Sequence, residues 1–372
     1  MSNLVDYLDW RGDLMFAQTP LNEVDALIFA WISYYEYEKL EAPIVGRTIA
    51  EIAAMHEEKF GPFQKIRVRD QPGTPIPSAI WMLHCASLTK RFAELRVLDF
   101  QAVNTADTQF GAITFEIVGR RVVAYRGTDN SLIGWREDCD LSFSEEVPSQ
   151  KLALEYLNQT EGDDPVIVCG HSKGGNIAVY AAVNARKAQR DRIERLYNFD
   201  GPGFCYDITQ REGYRELLPR MEKIVPESSV VGMLLKDDSP YRVIDSKMRG
   251  FFQHNGMFWQ VLGTRFVEID RRTASSLILD ETLRGWINGM PPEQRRAFTD
   301  VIFTVIESTG VKDFAELDDH ALLTGRRILS GIRTLSREQK KMALQLLLRL
   351  VKAAKSVVIG DDEPKTEIAV RW

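Results

Sequence analysis

The chain has 372 residues, 44% of them hydrophobic, and a formal net charge of −6. That is enough apolar material for one large core. Acids outnumber bases and no basic face dominates, which argues against a nucleic-acid partner. The four cysteines, Cys85, Cys139, Cys169 and Cys205, lie far apart without CxxC or Cys/His ligand spacing, so no metal, no cofactor and no disulfide framework is expected.

The first ten residues carry acids where a secretory signal needs a basic region, and the most apolar windows, 27–32 and 344–351, fall well short of the ~20 residues that span a bilayer. The sequence therefore predicts no transmembrane segment and a reduced, cytoplasmic setting.

Residues 1–100 read as a helical N-terminal region packed on the main body. Asn22 with Asp25 resembles a capped start for a helix over 24–37, and Thr48-x-x-Glu51 is a capping-box pattern. A proline- and glycine-rich loop at 72–77 precedes a helical pattern over 79–92. Residues 111–118 and 121–125 are rich in β-branched and aromatic residues around Gly119-Arg120, which predicts adjacent strands. Further strands are predicted at 166–169, 196–199, 223–225, 230–235, 241–244 and 260–269, with helical patterns between them, including 176–188. Strands alternating with helices predict an α/β core over 101–272 with a central, mostly parallel sheet. From about 273 to 359 the pattern is helix after helix, including one over 292–308. Another, after Ser336, is amphipathic and basic: packing against the body or a twin subunit is the expectation, with peripheral membrane contact as the alternative. Residues 360–372 read as a solvated tail.

Within the core, Val166 to Gly175 joins a buried-strand pattern to Gly170-His171-Ser172-Lys173-Gly174, the G-x-S-x-G nucleophile elbow. In this motif the serine sits on a strained turn between strand and helix, and flanking glycines let the backbone fold that tightly. Ser172 is the candidate nucleophile, Gly170 and Gly174 shape the turn, and His171 is expected to point into the structure beneath. A serine hydroxyl also needs a base, an acid that orients the base, and donors for an oxyanion. Arg126-Gly127-Thr128-Asp129 ends a strand upstream, followed by Gly134-Trp-Arg-Glu-Asp138.

The order of Arg-Gly-Thr-Asp, Trp135, Asp138 and Gly-His-Ser-x-Gly-Gly resembles the class 3 (triacylglycerol) lipases of the α/β-hydrolase superfamily. Downstream, Asn198-Phe-Asp-Gly-Pro-Gly-Phe204, the run from Pro226 to Leu235 and Gln253-His254 look closer still to an uncharacterised lipase-like branch, long catalogued as a domain of unknown function. These motifs cover about residues 105–265. The resemblance implies an α/β-hydrolase fold and an oxyanion-hole role for the position of Thr128. The chemistry of the elbow agrees: the backbone N–H of the residue after the nucleophile, Lys173, is one donor, and a strand-end loop supplies the other. Arg126 is expected to be structural, paired with Asp129 or Asp138.

The base should follow the serine, which leaves His254 and His320; His254, in a loop after the last strands, is favoured. The acid is open. Asp200 ends a strand and is held by Gly201-Pro202-Gly203, whereas class 3 lipases carry the acid one strand later, where this chain has Glu227. Asp200 is preferred, Glu227 is the alternative, and Asp237 and Asp245 stand behind. Lys173 replaces the apolar residue common in lipases; it either favours an acidic substrate or forms a salt bridge on the rim of the site.

The sequence thus predicts a serine hydrolase cleaving a carboxylic ester, with a small-molecule ester or lipid-like substrate. The alternatives are a catalytically silent interaction protein on the same fold, and an acyltransferase or amidase using the same residues.

Overall fold

In the computed structural model, the described residues are 2–63, 75–129, 131–273, 276–277 and 290–307, together with 337, 340 and 341. The helices are α1 (Leu4–Arg11), α2 (Glu23–Ile32), α3 (Ile49–Phe60), α4 (Pro75–Ser87), α5 (Leu132–Asp140), α6 (Pro148–Gln159), α7 (Lys173–Asn184), α8 (Lys187–Arg192), α9 (Glu212–Leu217) and α10 (Pro292–Glu307). One sheet contains β1 (Val97–Asn104), β2 (Gln109–Ile117), β3 (Arg120–Tyr125), β4 (Val166–His171), β5 (Ile193–Phe199), β6 (Met221–Pro226) and β7 (Tyr241–Ile244), in that spatial order. The pairings of β1 with β2 and of β2 with β3 are antiparallel, and those from β3 through β7 are parallel. The fold class is therefore α/β with a mostly parallel sheet, consistent with an α/β hydrolase.

Sequential strand order has a consequence for the layers. Crossovers between parallel strands are right-handed, so α6, α7 and α9 all land on one face. There they pack on Phe110, Val123, Tyr125, Val166, Val168 and Leu196. The alternate residues of the same strands, Val122, Ala124, Ile167, Cys169, Tyr197 and Phe199, face the other way and would be left bare. α1 to α4 cover them, so the N-terminal helices form the third layer of the sandwich.

Local signals start these helices. Asn22 and Asp25 form a capping box on α2, and Thr48 and Glu51 form one on α3. The layer is pinned by a fully buried pair, Arg91 Nη2 to Asp25 Oδ2 at 2.6 Å; the same guanidinium also donates to carbonyls of Leu14, Thr19 and Pro20.

The structure departs from the sequence expectation at three strands. β1 begins inside the region read as helical and runs past its expected end at residue 100: it is an edge strand whose side chains are mostly half exposed, so it lacks the apolar alternation that marks a strand. Residues 230–235 are a short 3-10 turn at Val231–Met233, because Lys223 Nζ donates to the Gly232 carbonyl and Gly232 sits against Asp200. An apolar run of that length does not distinguish strand from buried turn. The expected strand at 260–269 is a small hairpin, β8 (Val261–Leu262) and β9 (Arg265–Phe266), turning at Gly263 with φ +62°. The helices expected after residue 308, the amphipathic one after Ser336 and the tail lie outside the described residues, apart from 337, 340 and 341, as do residues 72–74 of the expected loop, whereas residues 75–77 open α4 instead of belonging to a loop. No helix of the described residues is long and apolar enough to cross a membrane.

Asp25→Ala leaves a buried guanidinium without its carboxylate, and urea unfolding should show a loss of about 3–5 kcal/mol.

Candidate active site

Parallel strands aligned in register deliver their C-terminal ends to one edge, where sites on open α/β sheets form. Tyr125 of β3 pairs with Gly170, and His171 pairs with Phe199 of β5. Arg126–Thr128, Ser172 and Asp200 therefore leave the sheet side by side. Ser172 sits at the turn into α7 with φ +58° and ψ −131°, and Asp200 has φ +52°. Both are conformations that cost an L-residue energy and persist only when the surroundings impose them.

The surroundings do impose them at the elbow. A Cβ on Gly170 would stand 2.1 Å from the Gly174 carbonyl oxygen, and one on Gly174 would stand 2.3 Å from that of Tyr125. Helix and strands meet there backbone to backbone.

Of the carboxylates weighed from sequence, Asp200 is the one at His254: its Oδ2 lies 2.6 Å from His254 Nδ1. Asp200 is fully buried, and its Oδ1 accepts from Ser229 Oγ at 2.5 Å. Asp237 is committed to Lys223 at 2.5 Å, and the Glu227 and Asp245 amides hydrogen-bond to the Ile244 and Val267 carbonyls at the far edge of the sheet. His254 ends a 3-10 turn (Gly250–His254) after β7, with about a fifth of its side chain exposed.

His171 does point beneath. Its Nε2 meets the His254 carbonyl at 2.7 Å, and because a carbonyl only accepts, this nitrogen carries the proton. Its Nδ1 then accepts from the Tyr34 hydroxyl at 3.0 Å. Burial, reinforced by the neighbouring His254, pushes the His171 pKa well below the usual imidazole range, so the ring is neutral. Its ring stacks on Trp31 at 5.3 Å and meets His254 at 4.6 Å.

Thr128 Oγ1 donates to Asp138 Oδ2 at 2.5 Å, and none of the described residues accepts the Thr128 backbone N–H. The Lys173 N–H is among the orphan donors that open α7. The Lys173 ammonium is not on the rim: it is buried against Glu137 Oε2 at 2.8 Å, so the expected salt bridge is internal to the fold. Arg126 is likewise buried, but its acid is Glu38 at 3.0 Å rather than Asp129 or Asp138, because the N-terminal layer reaches this edge. Sequence reasoning did not single out Tyr34, Gln109, Ser229 or Glu137. Ser229 and Glu137 had a local hint, lying in the Pro226 to Leu235 and Gly134 to Asp138 strings, while Tyr34 is 137 residues from His171. Among the described residues no group of His, Cys, Asp and Glu has the makings of a metal site.

A family model described as Mbeg1-like matches residues 86–304, more than half of the chain. The chain belongs to the Mbeg1-like family. The matched span includes the elbow, Asp200 and His254. Among solved structures, a chain titled "Crystal structure of M37 lipase" is similar at 16% identity and a TM-score of 0.33, over 56% of this chain and 68% of that one. No curated protein sequence matches.

Asp138 carries a testable proton. Burial raises its pKa from 3.8 to about 6, against the opposing pull of Lys173 and of the Thr128 hydrogen bond, and its Oδ1 is without a hydrogen-bond partner among the described residues. Between these values the folded state binds a proton that the unfolded chain releases, so the contribution of Asp138 to stability falls as pH rises through that window. Asp138→Asn has no such group, and urea unfolding should show it gaining on the wild type by on the order of 1–3 kcal/mol between about pH 4 and pH 6. A pH-independent difference would refute the assignment.

Proposed function

We propose that the protein is a serine hydrolase acting on a carboxylic ester with an apolar acyl group. The observation that carries this reading is that a strained Ser172 and a buried Asp200 leave neighbouring strands side by side, with Asp200 hydrogen-bonded to His254. Asp200 fixes the imidazole by accepting from Nδ1–H, which leaves Nε2 with the lone pair a general base needs.

In this reading Ser172 Oγ attacks the ester carbonyl while His254 Nε2 takes its proton. The carbonyl oxygen becomes an oxyanion facing the backbone N–H groups of Lys173 and Thr128. Collapse expels the alcohol, which receives the proton from His254, and an acyl-serine remains. Water, deprotonated by the same imidazole, then releases the acid and restores Ser172.

The motif resemblance to class 3 lipases supports an ester rather than an amide. Two exposed aromatic side chains, Trp135 within three residues of Asp138 and Phe252 within two of His254, support an apolar acyl group.

A fluorophosphonate probe should label the protein covalently, and Ser172→Ala should abolish the label; a signal that survives the substitution sinks the nucleophile assignment. Asp200→Asn should retain the fold while lowering kcat on p-nitrophenyl esters by on the order of 10³–10⁴-fold. If Glu227→Gln rather than Asp200→Asn gives the large loss, the acid is misassigned.

A further inference from the structure

We propose that Lys173 acts through its side chain as a positioning residue for both oxyanion donors, with Gln109 as the intermediary. This rests on reading Ser172 as the nucleophile. The ammonium has three protons, and all three are committed: to Glu137 Oε2 at 2.8 Å, to the Gln109 carbonyl at 2.8 Å and to Gln109 Oε1 at 2.9 Å. Glu137 is buried too, accepting from the Ser149 amide at 2.8 Å on its other oxygen. A cation so enclosed offers nothing to substrate.

Its consequence runs through the amide of Gln109. An ammonium tolerates only the oxygen end of that amide, so Oε1 faces Lys173 and the NH2 end is turned away. Nε2 then donates to the Gly127 carbonyl at 3.4 Å. The Gly127 carbonyl and the Thr128 N–H are opposite ends of one planar peptide unit, which is trans, as are the peptide bonds of the described residues. Drawing the carbonyl toward Gln109 aims the Thr128 N–H the other way and polarises it as a donor.

The backbone N–H matters because the Thr128 hydroxyl has been spent on Asp138. One buried ammonium therefore anchors its own N–H, at the first turn of α7, and orients the N–H of Thr128 across the site. α5 closes the arrangement, since Glu137 holds Lys173 and the adjacent Asp138 holds Thr128.

The test is Gln109→Leu, which keeps the Lys173–Glu137 pair. An oxyanion donor acts in the transition state, so kcat on a p-nitrophenyl ester should fall by on the order of 10²-fold with KM nearly unchanged. Affinity for a boronic acid, which presents a tetrahedral anion, should fall in parallel. A crystal structure of the same variant should show the Gly127–Thr128 peptide rotated from its wild-type orientation. The double variant Lys173→Met/Glu137→Met, which removes both charges together, should lose kcat in the same way.

A kcat within twofold of wild type, or equal changes in kcat and KM, overturns the proposal. If the wild type neither labels nor hydrolyses, the hydrolase reading fails instead. The crystal structure of Gln109→Leu then decides the positioning claim by itself, and an unrotated peptide overturns it.

Discussion

The close approach of α7 to the ends of β3 and β4 is the constraint on which the rest of the site depends. Gly170 and Gly174 touch backbone to backbone, and no side chain fits between them. With helix and strand at that distance, the one residue left to turn the chain, Ser172, is forced to positive φ. A strained conformation of this kind costs about 1–3 kcal/mol and survives only where packing overdetermines it. Here the packing comes from a sheet buried on both faces, so the strain is carried by the core and the hydroxyl is held at its surface.

That core is completed by the N-terminal helices, and their contribution extends into the site. α2 supplies Trp31, which stacks on His171, and the turn after it supplies Tyr34, which hydrogen-bonds the same ring. His171 in turn holds the His254 carbonyl. Glu38, a little further on, neutralises Arg126 at the root of the Thr128 loop. The segment carrying His254 continues into Met257, Trp259, Val261 and Phe266, which pack in the same apolar layer. The third layer thus both covers apolar strand residues and fixes the loop that brings the imidazole to Asp200.

Beneath Thr128 and Lys173, the proposed oxyanion donors, the fold buries charge, which is expensive unless every partner is satisfied. The Lys173–Glu137 pair meets that condition with hydrogen bonds to Gln109 and Ser149. Asp138 meets it only in part: one oxygen accepts from Thr128, the other has no hydrogen-bond partner among the described residues, and burial raises its pKa to about 6. Neighbouring acids on one helix therefore do different work, one balancing a cation and the other ordering a hydroxyl.

Where chemistry is written in consecutive residues, it was legible in the sequence. The elbow is five residues long, its glycines and serine carry their own backbone requirements, and the flanking strand and helix follow from local patterning. The α/β class and the strands from β2 to β7 follow from the same alternation, while β1, an edge strand with little burial, and the buried turn at Val231–Met233 do not. Pairings between distant segments were not legible. Asp200 and Glu227 end neighbouring strands and differ only in which one faces His254, a matter of register and of the turn at Gly232. The partner of Arg126 is 88 residues away, and that of Lys173 is 36. The sequence by itself determined the class of fold, the strained serine and the short list of acids and bases. Only the tertiary structure decided which of them meet, because hydrogen bonds form between neighbours in space, and spacing along the chain carries no record of them.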